Sequence, residues 1–225
     1  MQKPEKLRTK IKHCEITDKI HEIFTIEKKE YLEFSPHYIP KGKLPSDFNI
    51  GLIVGSSGSG KSILLKEFMD TSAEITWDDR AIASHFLSYK EAETRLLAAG
   101  LNSIPQWLLP YDKLSNGQKY RSDVARLIQD NIVFDEWTSV IDRNTAKSLS
   151  TSIQKYIRKE DLRGVIFACP HHDIIDYLRA DWVYFTDTMT LEINGDFYNQ
   201  EVIYFDEEFI KINTKTKQHF MEIKL

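Results

Sequence analysis

The sequence is short of several things, and each shortage narrows what the chain can be. Only two of its 225 residues are cysteine, Cys14 and Cys169. They sit in unrelated contexts and form no C-x-x-C pair. Neither a disulfide framework nor a zinc site is indicated, and a reducing cytoplasm is the expected setting. No apolar run reaches the roughly 18 residues of a membrane-spanning helix. The opening stretch, MQKPEKLRTKIKHCEI, lacks the apolar centre of a secretion signal. Positive charge is not in excess: 30 Lys and Arg face 34 Asp and Glu, for a net charge of −4. No global basic field therefore marks a nucleic-acid binder. Basic residues cluster only locally, at Lys3, Lys6, Arg8, Lys10 and Lys12 and at Lys211, Lys215 and Lys217, and such runs are ordinarily solvated faces. The sequence has no internal repeat and no low-complexity tract. His13, His21, His37 and His219 show no metal-ligand spacing.

What is present is enough for a core. Apolar residues make up 41% and charged residues 28%, as in a folded chain with a solvated surface. One domain over residues 1–225 is expected, with N-terminal strands in 1–48, a core in 49–186 and antiparallel strands in 187–225. The run Ile50–Val54 is short and apolar and suits a buried parallel strand. Apolar residues recur at helical spacing over Ser62–Met69. Further helices are expected over 91–98, ending near Gly100, over 117–129 and over 144–159. Strands are expected over Asn131–Phe134 and Gly164–Ala168. Alternating strands and helices imply an α/β fold with a mainly parallel sheet. From Trp182 onward the pattern shifts to short strands, with Asn194-Gly195 as a hairpin turn.

The segment Gly55-Ser56-Ser57-Gly58-Ser59-Gly60-Lys61-Ser62 fits G-x-x-x-x-G-K-[ST] at every fixed position. It lies between a strand and a helix, as a phosphate loop must. Such a loop turns backbone N–H groups toward phosphate oxygens, and the following helix adds its positive end. Lys61 would reach the outer phosphates, and the Ser62 hydroxyl would ligate Mg²⁺. Downstream, the apolar run before Asp135-Glu136 ends in two acids. Asp135 is placed to hold Mg²⁺ and Glu136 to polarise an attacking water.

A third motif narrows the class. Leu114-Ser115-Asn116-Gly117-Gln118 resembles the LSGGQ signature of ABC-type ATPases. DEWTSVID, Asp135 to Asp142, is similar to that family's DEPTSALD, which puts Asp142 on the D-loop aspartate. Cys169-Pro170-His171-His172-Asp173 resembles the region of its switch histidine. The spacing to Asp181 favours His171 in that role, and adjacency to Asp173 favours His172. The resemblance covers roughly residues 50–186. It implies a P-loop NTPase of ABC type with a reduced helical lobe, which hydrolyses ATP with Mg²⁺. It also implies that Ser115, Asn116, Gly117 and Gln118 cradle the γ-phosphate held by a second copy, so that two ATP molecules are sandwiched in a head-to-tail homodimer. An adenine-stacking aromatic is expected before the loop, with Phe24, Tyr31 and Phe34 as candidates.

Three departures qualify the resemblance. The stretch from Lys61 to Leu114 is short. No glutamine occurs between Ser62 and Pro105, which leaves His85 as the positional substitute for the Q-loop residue. Trp137 stands where the family has proline. The run GLNSIPQWLLPYDKLSNGQKYRSDVAR, with DEWTSVIDRNTAK and CPHHDIIDYLRADWVY, is similar to the ATPase portion of ABC ATPases fused to acetyltransferase domains, and to stand-alone phage relatives. That implies a separate protein partner, acetyltransferase-like or associated with nucleic acid, and no membrane insertion. The alternatives are the nucleotide-binding subunit of a membrane transporter and a P-loop kinase.

Overall fold

The computed structural model describes residues 4–40, 42–69, 75–195, 199–205 and 210–214, the last two ranges as backbone only. His219, Lys3, Lys215 and Lys217 lie outside them. A seven-stranded sheet organises these residues in the order β4-β5-β3-β6-β7-β8-β9. Its parallel part comprises β3 (Ile50–Val54), β4 (Val133–Phe134), β5 (Val165–Cys169) and β6 (Trp182–Phe185). Here β3 runs parallel to both β5 and β6, and β4 runs parallel to β5. Antiparallel β7 (Thr190–Gly195), β8 (Asn199–Phe205) and β9 (Ile210–Thr214) extend it, as expected for this end of the chain.

The apolar runs exist because both faces of the parallel strands are covered. Ile50, Leu52 and Val54 join Phe134, Phe167 and Cys169 on one face. That face is packed by α3 (Tyr89–Ala98), α5 (Asn116–Leu127) and α6 (Arg143–Lys159). Ile53, Val133, Ile166 and Tyr184 point the other way, onto α2 (Lys61–Lys66) and Ile39. Short α4 (Ile104–Trp107) belongs to a compact lobe in which Trp77 stacks on Tyr111 at 4.9 Å, and α7 (Ile175–Leu178) packs on α6.

Three expectations need correction. The segment 1–48 does hold strands, β1 (Leu7–Lys10) and β2 (Tyr31–Phe34), but they form a separate antiparallel pair. Between them lies a helix not anticipated, α1 (Glu15–Ile23), whose start is tied by Thr17 to both backbone groups of Cys14 at 2.8 Å. The strand expected from Asn131 starts only at Val133, because Asn131 turns into the left-handed region (φ 52°) and donates its N–H to Arg163. Asn194 and Gly195 are not the hairpin turn. They pair with Gln200 and Asn199 inside the ladder, and the Asn194 side chain is held by the Ala180 carbonyl at 2.7 Å. The connection falls in 196–198, outside the described residues.

Candidate functional site

In a parallel sheet, ligand sites form beyond the carboxyl ends of the strands. That edge gathers most of the sequence-predicted residues. Gly55 follows β3, Asp135-Glu136 follows β4 and His171 follows β5, with β5 lying between β3 and β4. Two backbone bonds lock the arrangement across strands: Gly55 N–H to Cys169 O at 3.4 Å and Trp137 N–H to Ala168 O at 2.7 Å.

The phosphate loop is tightly held. Gly58 and Gly60 take φ of +80° and +91°, which lets the chain wrap into the start of α2. Lys61 is 4% exposed, and its Nζ donates to the carbonyls of Gly55 and Ser56 at 2.9 and 2.8 Å. An ammonium group sealed into its own loop requires acceptors of this kind. Two residues after β6 clamp the loop from below. Thr186 Oγ1 lies 2.6 Å from Ser59 Oγ, and a Cβ on Gly55 would come within 1.8 Å of that same oxygen. The Asp187 carboxylate accepts from Ser56 N–H at 3.0 Å and Ser56 Oγ at 2.7 Å. Those bonds hold its pKa below the usual carboxylate range, helped by nearby His172 and Lys61. Nothing in the sequence singled out Thr186 or Asp187. Their only signal was position, immediately after a strand adjoining β3.

The acid pair sits on an unusual turn. Glu136 and Thr138 have φ of 50° and 63°, conformations that non-glycine residues seldom adopt. The fully buried Trp137 between them holds them there, with Nε1 donating to Ser150 at 3.0 Å and its ring 4.4 Å from Phe167. Glu136 Oε2 accepts from Ser139 Oγ at 2.7 Å, and Asp135 Oδ1 accepts the Glu136 N–H at 2.9 Å. Ser62, half-buried at the start of α2, and Asp135, half-buried after β4, are the two expected magnesium ligands, and both lie on this edge. Among the described residues no group of three or more His, Cys, Asp or Glu could cage a metal by itself.

Ser115 caps α5. Its Oγ accepts from Gln118 N–H at 3.3 Å while Gln118 Oε1 accepts from Ser115 N–H at 2.9 Å. The pair forms an S-x-x-Q capping box. Ser115 and Asn116 are exposed, and Gly117 is half-buried. Asp142 is likewise an exposed N-cap, of α6, accepting from Thr145 N–H at 3.0 Å and Thr145 Oγ1 at 2.6 Å.

The two histidines after β5 differ. His171 donates its N–H to Cys169 Sγ at 3.3 Å, and the His172 ring stacks on Phe185 at 5.9 Å. Asp173 is taken up by Arg143 and Lys147 of α6, and Asp181 by the Asn49 and Ile50 N–H groups and by Arg158. His85 is not brought to the phosphate loop. It is buried in the lobe, edge-on to Trp77 at 4.8 Å and 3.1 Å from Asp78, and burial lowers its pKa. Of the three aromatic candidates, Phe34 lies against Gly60, whereas Phe24 and Tyr31 are 67% and 44% exposed. His13 and His21 hold the carbonyls of Lys29 and Ile26, and His37 meets Tyr184.

No family model matches the chain, and no curated protein matches it in sequence. It resembles a dimeric, post-hydrolysis state of the ATP-binding cassette MJ0796 bound to ADP and Pi. There the identity is 17% over 60% of this chain and 80% of that one, with a TM-score of 0.45. A second dimeric structure of MJ0796, named a bacterial ABC transporter cassette, gives 19% over 63% and 83%, also at 0.45. For cbiO1 from Clostridium perfringens, named as part of the ABC transporter complex cbiONQ, the values are 16%, 69%, 76% and 0.42.

Proposed function

We propose that this chain is an ABC-type ATPase that binds Mg-ATP and hydrolyses it in a head-to-tail homodimer. One observation carries the reading. A sealed phosphate loop shares a sheet edge with Asp135, Glu136 and His171, while the second anion cradle, at Ser115 to Gln118, opens to solvent at the start of α5. A cradle of that kind gains a use when another copy supplies the phosphate.

The residues suit the nucleotide. The loop amides of Ser57 to Ser62 and Lys61 bind the phosphates, and Phe34 is the aromatic nearest the loop for the base. Ser62 and Asp135 would hold the magnesium ion together with phosphate oxygens, as magnesium prefers to a protein-only cage. Bound there, the ion would neutralise charge developing on the phosphates. Glu136 accepts the proton of the attacking water, and Ser139 and the Trp137 anchor hold its carboxylate in place. His171 donates toward the γ-phosphate, and Asp142 faces the partner across the dimer. The products are ADP and inorganic phosphate.

A second reading has its own support. Leu87, Tyr89, Ile104 and Leu108 of the lobe are 97%, 71%, 55% and 71% exposed. An apolar lobe surface of this kind fits a docked partner, as in the nucleotide-binding subunit of a transporter. No helix of the described residues is long and apolar enough to cross a membrane. No feature of the fold or site singles out the acetyltransferase-linked or phage branch, or nucleic acid as partner. Phosphate release measured across protein concentration tests the main reading. Specific activity that rises with concentration and needs Mg²⁺ is expected. Activity per chain that stays flat down to nanomolar protein would contradict it.

A further inference from the structure

The head-to-tail reading has a geometric consequence on which this inference rests. In one chain, Glu136 serves the nucleotide on its own phosphate loop, while Ser115 and Gly117 face the nucleotide held by the partner. A rigid link between those two places inside a chain therefore joins two active sites.

The structure contains such a link. Tyr120 lies one turn into α5, and its Oη accepts the backbone N–H of Thr138 at 2.9 Å. Thr138 is fully buried and left-handed, two residues after Glu136. Burial raises the Tyr120 phenol well above its ordinary pKa, so it stays protonated and its oxygen remains an acceptor. Its ring tilts against Trp137 at 6.1 Å. A second contact runs in parallel: a Cβ on Gly117 would come within 3.3 Å of Ile141 Cγ2, so α5 begins directly on the turn that ends at Asp142. The turn is stiff between these points. Ser139 N–H bonds to Glu136 O at 3.0 Å, Ile141 N–H bonds to Thr138 O at 3.4 Å, and Arg143 reaches Thr138 Oγ1 while paired with Asp173.

We propose that Tyr120 is a positioning residue that couples the two composite sites, transmitting the seating of the partner's phosphate on α5 to the turn carrying Glu136. The left-handed Thr138 supplies the physical basis. A strained turn persists only while its surroundings over-determine it, and the Tyr120 oxygen is the acceptor for its buried amide. When α5 shifts, that bond shifts with it, and the Glu136 carboxylate moves relative to the attacking water.

Tyr120→Phe keeps the ring and removes the acceptor. Its kcat should fall about tenfold, as a small displacement of a reacting group does. Binding of a fluorescent ATP analogue should be unchanged, and the Hill coefficient for ATP should drop from about 2 toward about 1. Ile141→Ala, at a half-exposed site, should lower the Hill coefficient without touching the phenol, and it serves if Tyr120→Phe fails to fold. The Glu136→Gln chain provides the separating control. If it does not dimerise with ATP by light scattering, the head-to-tail reading fails. If it dimerises, yet both variants keep the wild-type kcat and Hill coefficient, the coupling role fails alone.

Discussion

The phosphate loop and the signature turn are built from the same residue types, serine and glycine before a helix, yet the fold treats them in opposite ways. The loop at Gly55 to Ser62 is closed on itself, with Lys61 buried on its own carbonyls and Thr186 and Asp187 beneath it. The turn at Ser115 is exposed, with its ends tied by a capping box and no clamp like that of Thr186 and Asp187 on its serine. On the proposed reading, the first is a complete binding element and the second is half of one. Composition alone does not separate them; what surrounds each does.

Variants that break this contrast should differ in kind. Lys61→Ala strikes the complete element. ATP turnover should fall by at least about 100-fold, as when a phosphate-facing donor is lost, and ATP binding should weaken with it in a fluorescence titration. Ser115→Arg strikes the half element. Turnover should fall by about the same factor, but ATP binding by the isolated chain should change less than about threefold, since no residue of its own phosphate loop is disturbed.

Smaller effects sharpen the same comparison. Gly55→Ala puts a methyl group where Thr186 Oγ1 already sits, and overpacking of this kind costs about 1–3 kcal/mol. The melting temperature should fall by about 3–10 °C in a calorimetric scan, and Thr186→Ala in the same chain should restore part of it. Ser115→Ala loses only a helix cap, about 1 kcal/mol in a denaturant titration.

The smallest effect is in pH. The Asp187 pKa is lowered in the folded chain, chiefly by the Ser56 bonds. Its stabilisation is therefore present above the unfolded-state pKa near 4 and is lost as pH falls through the lower folded value. Asp187→Asn should melt earlier than wild type near pH 6, and the gap should close as pH falls below the usual carboxylate range.

The comparison also shows where sequence reading succeeds and where it stops. The strands at Ile50–Val54 and Val165–Cys169 were legible because burial on both faces leaves an unbroken apolar run. The tight turn between β3 and α2 was legible because glycine stands at Gly58 and Gly60, where the chain takes positive φ. Helix α1 was not, although Ile16, Ile20, Ile23 and Phe24 fall on one face. Those side chains stay 44–73% exposed, so no burial partner in the sequence pointed to them. The left-handed Glu136 and Thr138 were invisible, since neither residue type favours that conformation and only the buried Trp137 explains it. His85 shows the limit of position as a guide. It occupies the expected interval, but Trp77 and Asp78 hold it inside the lobe.

The composite site itself is tested most directly by mixing two inactive chains, Lys61→Ala and Ser115→Arg. In a mixed dimer, the intact phosphate loop of one chain meets the intact signature of the other, while the second site is doubly broken. The account predicts that the mixture hydrolyses ATP well above either variant alone, approaching about a quarter of wild-type activity if pairing is random. A mixture as inactive as its components, or a Ser115→Arg chain that is fully active by itself, would contradict it.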